Sequence, residues 1–139
     1  MVKIYLDTNT ILDILCRREP FYIDSAKIWT LIKEKIIEGF ISAITVNNIY
    51  YIVRKLKDRK TAEAFIDIIL NDFEIVPLTK DILIKAKAVS IGDYEDLIQY
   101  FSAISTGCKA LITRNKKDFP PKGIDIFSPT EFVNSISSF

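Results

Sequence analysis

The sequence predicts an α/β fold, a three-layer α/β/α sandwich around a short, mostly parallel sheet. Short apolar runs alternate with longer segments whose apolar residues recur every three or four positions, the pattern of strands alternating with amphipathic helices. No repeat or linker interrupts this alternation. Such an order is typical of a parallel sheet covered by helices on both faces. At 139 residues, the chain is predicted to form a single domain over residues 1–139.

Five short apolar segments are predicted to be strands. They cover residues 3–6, 40–44, 73–76, 110–113 and 124–127. Each is bounded by polar, glycine or proline residues that favour turns and helix starts. If the strands are parallel, their carboxyl ends meet at one edge of the sheet, where ligands of open α/β sheets gather.

The segments between the strands are predicted to be helices. They cover residues 11–15 and 24–38, two segments that begin at Thr45 and Thr61, residues 81–90 and 94–106, and a terminal helix from 128 through 136. Thr45, Thr79 and Asp93 are the expected caps of the third, fifth and sixth helices. Gly39 is expected to end the second helix, and residues 54–60 are expected to form a basic link.

The composition excludes several kinds of chemistry. The chain contains no histidine, which removes Ser-His-Asp and Cys-His hydrolysis and the commonest ligand for zinc and copper. Lysine and arginine together number 19 against 18 acids, a net charge of +1. Because no overall positive field attracts nucleic acid, a polyanion would have to be bound locally.

The cysteines and the amino terminus indicate the compartment. Cys16 and Cys108 stand in no paired motif, so both are expected to be small apolar residues in a reducing environment. The sequence starts at once with a strand-like segment, without the pattern of a signal peptide. No apolar run is long enough to span a bilayer. We therefore expect a cytoplasmic protein that has no membrane partner.

Polar and acidic residues occur where strands end and where one helix begins. Asp7 follows the first strand, Asp96 lies in the first turn of a helix, and Asn115 and Asp118 follow the strand over residues 110–113. Clustered carboxylates are costly unless they hold a cation, and hard oxygen ligands suit Mg²⁺ or Mn²⁺. Without histidine, the chemistry that fits is metal-assisted hydrolysis of a phosphodiester.

Four motifs resemble the PIN-domain family, in order across nearly the whole chain. They are LDTN at residues 6–9, SAITV at 42–46, DYED at 93–96 and ITRNKKDF at 112–119. The likeness is closest to the VapC-like toxin branch. It implies a Mg²⁺- or Mn²⁺-dependent endoribonuclease that forms a homodimer and is held inactive by an antitoxin protein, so that this chain would be the toxin of the pair and RNA its substrate.

The resemblance also assigns roles to residues. Asp7 matches the first acid of the family, Asp96 the third, and either Asn115 or Asp118 the fourth. The second acid falls on Asn48, whose amide oxygen can bind a cation but brings no charge. The expected catalytic residues are therefore Asp7, Asp96 and Asp118, and Asn115 joins them as a metal ligand. Supporting roles fall to three residues, namely Asn9, Asn48 and Thr113.

Basic and aromatic residues supply candidates for RNA contact. Those nearest the expected site are Arg17, Arg18, Arg114 and Lys116. The basic run over residues 54–60 is more typical of a solvated link. Tyr51 is expected at the surface, where aromatic faces can stack on bases.

Each acid also has a purely structural explanation. Asp7 could cap the helix that follows it, Asp96 is favoured in a first turn by the helix dipole, and Asp118 could lie in a solvated turn. An alternative function is a PIN-fold module that binds RNA or a partner without cleaving, because Asn48 is neutral. A phosphatase of the haloacid dehalogenase type would want a second aspartate at Asn9.

Overall fold

The computed structural model describes residues 1–120 and 122–136 and confirms the predicted α/β/α sandwich. Its strands are β1 (Val2–Leu6), β2 (Ile37–Ser42), β3 (Glu74–Val76), β4 (Ala110–Ile112) and β5 (Asp125–Phe127). Its α-helices are α1 (Thr8–Leu15), α2 (Tyr22–Lys33), α3 (Ala43–Leu56), α4 (Arg59–Asp72), α5 (Lys80–Ala88), α6 (Tyr94–Ser105) and α7 (Pro129–Ile136). A 3₁₀ turn covers Lys116–Asp118.

The five strands form one parallel sheet in the order β3-β2-β1-β4-β5. The chain builds outward from β1 on one side through β2 and β3, and then returns to the other side of β1 to add β4 and β5. The strand order therefore reverses between β1 and β4. Crevices at such a reversal are the usual ligand sites of open parallel sheets, at the carboxyl ends of the strands.

The side chains of β1 alternate between two apolar cores. Ile4 and Leu6 pack with residues of α1, α2, α3, α4 and α7 on one face of the sheet. Tyr5 packs on the other face with residues of α5 and α6. All three side chains are fully buried. This two-sided burial explains why the strands are continuous apolar runs, because neither face of a covered parallel sheet meets water.

The predicted caps are confirmed at two helices and wrong at a third. The side chains of Thr79 and Asp93 accept hydrogen bonds from backbone N–H groups in the first turns of α5 and α6. Thr45 was expected to cap α3, but Ser42 does so, accepting from the N–H of Ile44 at 3.2 Å. Thr45 instead lies fully buried in the first turn.

Most of the basic run over residues 54–60 is helical, and only residues 57–58 connect the two helices. The helix α3 continues to Leu56, and α4 already begins at Arg59. Asp58 caps α4, because its Oδ1 accepts from the N–H of Thr61 at 2.6 Å. The predicted start at Thr61 was therefore too late, and the turn between the two helices is very short.

The predicted helix over residues 24–38 ends early. The helix α2 stops at Lys33, and Lys35 takes a left-handed conformation with φ of 60° before β2 begins. Gly39 lies inside β2 and does not end the helix. A Cβ atom on Gly39 would come within 2.6 Å of Ile32 and 2.8 Å of the Phe73 ring. Glycine is therefore needed at this position because Ile32 and Phe73 pack closely against the strand. In the sequence alone, a glycine at the end of a helical pattern looks like a helix stop.

Two further features concern the chemistry of the chain. Both cysteines are free thiols, with Cys108 buried and Cys16 half-buried. Among the described residues, no helix combines the length and the apolar character needed to cross a bilayer.

Candidate active site

A polar cavity of about 470 Å³ opens at the carboxyl end of β1, between α1, α3 and the first turns of α6. Most of the residues that line it carry a carboxylate, an amide or a hydroxyl group. The lining residues are Asp7, Thr8, Asn9, Leu12, Asn48, Tyr51, Ile52, Asp93, Glu95, Asp96 and Gln99. The sequence prediction that Asp7 and Asp96 lie at one edge of the sheet is consistent with this position.

Asp7 is fixed at the cavity by three hydrogen bonds. Its Oδ1 accepts from the N–H of Thr10 at 2.8 Å and from the hydroxyl of Thr10 at 2.6 Å. Its Oδ2 accepts from the hydroxyl of Thr113 at 2.7 Å. Burial raises the pKa of Asp7, and the hydrogen bonds from Thr10 and Thr113 oppose that shift. Asp7 therefore does cap α1. A cap uses only one carboxylate oxygen, however, and does not explain why Oδ2 is also bonded to Thr113, 106 residues away.

Asp96 is half-buried and carries an unusual charge balance. Burial is the largest cause that raises the pKa of Asp96 to about 7, and the carboxylates of Asp93, Asp118, Asp7 and Glu95 raise it further. The N–H of Asp96 donates to Asp93 at 3.1 Å, which is the expected cap of α6. A helix cap does not explain why so many carboxylates act on one site. A bound cation would relieve their mutual repulsion.

Position 48 carries an amide that is bonded to an acid from the opposite helix. The Nδ2 of Asn48 on α3 donates to Oε1 of Glu95 on α6 at 2.9 Å. Glu95 is part of the motif at residues 93–96, but the sequence analysis assigned it no role in the site. The neutral residue at position 48 together with an additional acid next to Asp96 could have indicated it. Asn9 lines the same cavity and is otherwise exposed.

The residues after β4 take different positions. Thr113 is fully buried and accepts from the N–H of Asn115 at 3.0 Å while donating to Asp7. Asn115 and Asp118 are not among the residues that line the cavity. Asp118 is exposed in the 3₁₀ turn and acts on Asp96 through its charge. Thr113 is thus brought to Asp7 directly, whereas Asp118 stays at a greater distance.

Two of the arginines proposed for RNA contact are held against Asp13 instead. Asp13 is 1% exposed, with its Oδ2 3.0 Å from Nε of Arg114 and its Oδ1 3.7 Å from the Arg18 guanidinium. Arg114 also lies over the ring of Phe21, 4.1 Å from its centre. Neither Arg114 Nε nor Asp13 Oδ1 meets hydrogen-bond geometry within the described residues, so the contacts are ion pairs. Burial raises the pKa of Asp13, and Arg114 and Arg18 oppose that shift.

The other two basic candidates differ from each other. Lys116 is paired with Glu131 of α7, at 3.0 Å between Nζ and Oε1. Arg17 is exposed and has a positive φ of 49°. Tyr51 is 59% exposed and lines the cavity, which places an aromatic face beside the acids.

The donor set fits a hard divalent cation. The polar residues of the cavity wall carry carboxylate, amide and hydroxyl groups, and neither histidine nor cysteine is among them. Mg²⁺ and Mn²⁺ prefer such oxygen ligands. In the described part of the chain, no three acidic or cysteine side chains approach closely enough to form a preformed cage. The carboxylates surround the cavity instead. Mg²⁺ keeps several waters and needs only one or two carboxylates, so it does not require such a cage.

The parallel sheet ordered β3-β2-β1-β4-β5, with acids in a cavity at its carboxyl edge, belongs to the class of open α/β domains that bind ligands at this edge, and a family model identifies the family. The model for the PIN domain matches residues 3–117. The chain therefore belongs to the PIN-domain family, as the four sequence motifs predicted.

Individual relatives agree with the family. The chain is similar to "Ribonuclease VapC1" of Aquifex aeolicus, with 30% identity over 135 residues that cover 94% of this chain and 92% of the relative. Its fold is similar to DNA-bound VapBC from Salmonella typhimurium, at a TM-score of 0.70 and 22% identity over 93% of this chain and 99% of that one. The fold is also similar to a toxin–antitoxin complex from Klebsiella pneumoniae, at a TM-score of 0.65 and 22% identity. That match covers 90% of this chain and 96% of the other.

Proposed function

We propose that this chain is a divalent-metal-dependent endoribonuclease and the toxin of a toxin–antitoxin pair. The observation that carries the proposal is the acid-lined cavity at the carboxyl end of β1, in which Asp7 is fixed and Asp96 is crowded by other carboxylates. The relative of 30% identity named as a ribonuclease supports the substrate class.

Each side chain has a distinct task in this proposal. Asp7 and Asp96 hold the cation, which when bound polarises a phosphodiester and activates a water. Thr113 orients Asp7 through the bond to Oδ2. Asp118 and Asn115 do not line the cavity, and we assign them the weaker role of ligands from the β4 side, supported by the effect of the Asp118 charge on Asp96. Asn9 lines the open side of the cavity, where it can contact substrate.

The proposal extends to partners. The fold neighbours include complexes named VapBC and a toxin–antitoxin complex, which supports an antitoxin as a protein partner of this chain. We also expect a homodimer, as the resemblance to the family implied. Because Arg18, Arg114 and Lys116 are engaged in ion pairs, Arg17 is the most available of these four candidates for contact with an RNA phosphate.

Asn48 favours a second candidate, a PIN-fold module that binds RNA or a partner without cleaving it. A neutral residue at this position lowers the charge available to a cation. The two candidates differ in their response to metal, because binding by an inactive module would ignore added Mn²⁺ and chelator.

The test is cleavage of a mixed RNA pool by the purified, antitoxin-free protein. We expect cleavage with Mn²⁺, none after chelation, and none with Asp96→Asn. The matched control is Asp81→Asn, which removes an acid from the first turn of α5 that is paired only with exposed Lys85. Cleavage that persists in chelator, or in a folded Asp96→Asn protein, would contradict the proposal. RNA binding without cleavage in any metal would favour the inactive module.

Tyr51 is predicted to stack on a base of the bound RNA. Its ring is exposed at the cavity and packs edge-on against Tyr50, with ring centres 5.3 Å apart. Stacking on one base contributes about 1–3 kcal/mol, so Tyr51→Ala is expected to raise KM by about 5-fold to about 150-fold with little change in kcat. Tyr51→Phe keeps the ring and should behave as wild type. Equal KM values for all three proteins would show that Tyr51 does not stack.

A further inference from the structure

The contact between Asn48 and Glu95 joins the two helices that face each other across the cavity. Asn48 lies on α3 and Glu95 in the first turn of α6, and the Nδ2 to Oε1 distance is 2.9 Å. Both residues are half-buried, and both line the cavity with Asp7 and Asp96. The amide at position 48 is thus bonded to a carboxylate that faces the same space.

Glu95 has no positively charged partner among the described residues. Within residues 1–120 and 122–136, its carboxylate takes part in no ion pair and accepts a hydrogen bond only from Asn48. Its charge also raises the pKa of Asp96, the next residue. The dipole of α6 favours an acid in the first turn, but that effect is small and requires neither burial nor a bond to α3. Two half-buried carboxylates side by side repel each other and are unfavourable unless a nearby cation offsets their charge.

Gln99 indicates independently that the cavity is built for a ligand. It is 2% exposed, and its Oε1 accepts from the N–H of Thr8 at 3.0 Å, with the hydroxyls of Thr8, Thr45 and Tyr5 within 3.4 Å. Its amide nitrogen donates none of the hydrogen bonds found among the described residues, and it is not one of the fully buried atoms without a partner. Because Gln99 lines the cavity, these N–H groups are available to an oxygen atom of a ligand.

We propose that Glu95 supplies to the cavity the carboxylate that position 48 lacks, and that Asn48 is the positioning residue that orients it. In this arrangement the carboxylate comes from α6 and not from α3, so the site keeps its negative charge despite the neutral residue at 48. This inference rests on the proposed function and identifies a further cation ligand of the same site.

This arrangement also explains why position 48 is an amide. A carboxylate at 48 would lie against Glu95, where two like charges repel. Asparagine instead donates to Oε1 and leaves Oε2 of Glu95 for the cavity. The pair of Asn48 and Glu95 therefore supplies one carboxylate whose orientation is fixed by the amide.

The test is calorimetric titration of Mn²⁺ into the full-length protein, with RNA cleavage followed in parallel. Glu95→Gln keeps the shape of the side chain but removes its charge, and is expected to weaken Mn²⁺ binding by about tenfold or more. Asn48→Ala should weaken it less, because the carboxylate remains but is no longer oriented. The control is Glu63→Gln, a helical acid that pairs only with exposed Arg59.

The decisive variant is the double exchange Asn48→Glu with Glu95→Gln. If the charge is what matters, returning an acid to α3 should restore Mn²⁺ affinity and cleavage that Glu95→Gln alone had lost, which a merely structural contact would not do. Glu95→Gln that binds Mn²⁺ and cleaves as wild type, while Asp7→Asn does neither, would overturn the inference and leave the proposed function standing. A folded wild-type protein that binds no Mn²⁺ would overturn both.

Discussion

Replacing Asp7 with asparagine is expected to abolish RNA cleavage while leaving the protein folded. Asparagine has the same shape and keeps an oxygen for the N–H and hydroxyl of Thr10, so α1 remains capped. The amide cannot supply the negative charge that a cation requires. Since loss even of groups that only orient a metal ligand costs about 10–100-fold, we expect a loss of at least about a hundredfold in cleavage rate.

The matched control for Asp7 is another helix-capping aspartate. Asp58 caps α4 by accepting from the N–H of Thr61, and it lies outside the cavity. If Asp7 were only a cap, Asp7→Asn and Asp58→Asn would have similar, small effects on both stability and cleavage. We expect Asp58→Asn to cleave as wild type. Urea denaturation of both variants separates loss of function from loss of fold, and full cleavage by folded Asp7→Asn would contradict the assignment.

Replacing Asp13 with alanine is expected to cause the largest loss of stability among the charged residues discussed. It removes the buried counter-charge of Arg114 and Arg18. Breaking a fully buried ion pair costs about 3–5 kcal/mol, but the Arg114 side chain is 28% exposed and can regain water, so we expect about 2–3 kcal/mol. Because Arg114 follows Thr113, which orients Asp7, cleavage should fall as well. The measurement is the free energy of unfolding in urea.

A double-mutant cycle tests the cause of that loss. Once Asp13 is alanine, the further change Arg114→Met should cost much less than it does in the wild type, because the unpaired guanidinium is removed with it. Asp81→Ala, at the exposed pair with Lys85, should change stability by no more than about 0.5 kcal/mol. If the two changes at Asp13 and Arg114 were simply additive, the buried pair would not be the cause.

The sequence predicted the fold and the positions of Asp7 and Asp96 because both depend on local order. Alternation of strands and helices determines a covered parallel sheet, and Asp7 directly after a strand must lie at its carboxyl edge. Asp96 was predicted in the same way, from its distance to the cap at Asp93. The resemblance to the PIN-domain family added the order of the motifs, and the family match confirms it.

Contacts between distant residues could not be predicted in this way. The pairing of Asp13 with Arg114 joins positions 101 residues apart, so Arg114 was assigned to RNA and not to a buried acid. Glu95 was missed because a first-turn acid can face either solvent or the cavity, and only its bond to Asn48 separates the two. Gly39 was misread because the need for space beside Phe73 is set by tertiary packing.

Calorimetric titration of Mn²⁺ into the wild type and the Asp7→Asn variant tests the central claim most directly, since it reports on the cavity without depending on the RNA target. The account predicts saturable binding by the wild type that is lost in the folded variant. It also predicts that Mn²⁺ raises the unfolding free energy of the wild type alone, by about 2.7 kcal/mol at a hundred times Kd. Equal binding by the two proteins, or no binding by the folded wild type, would contradict it.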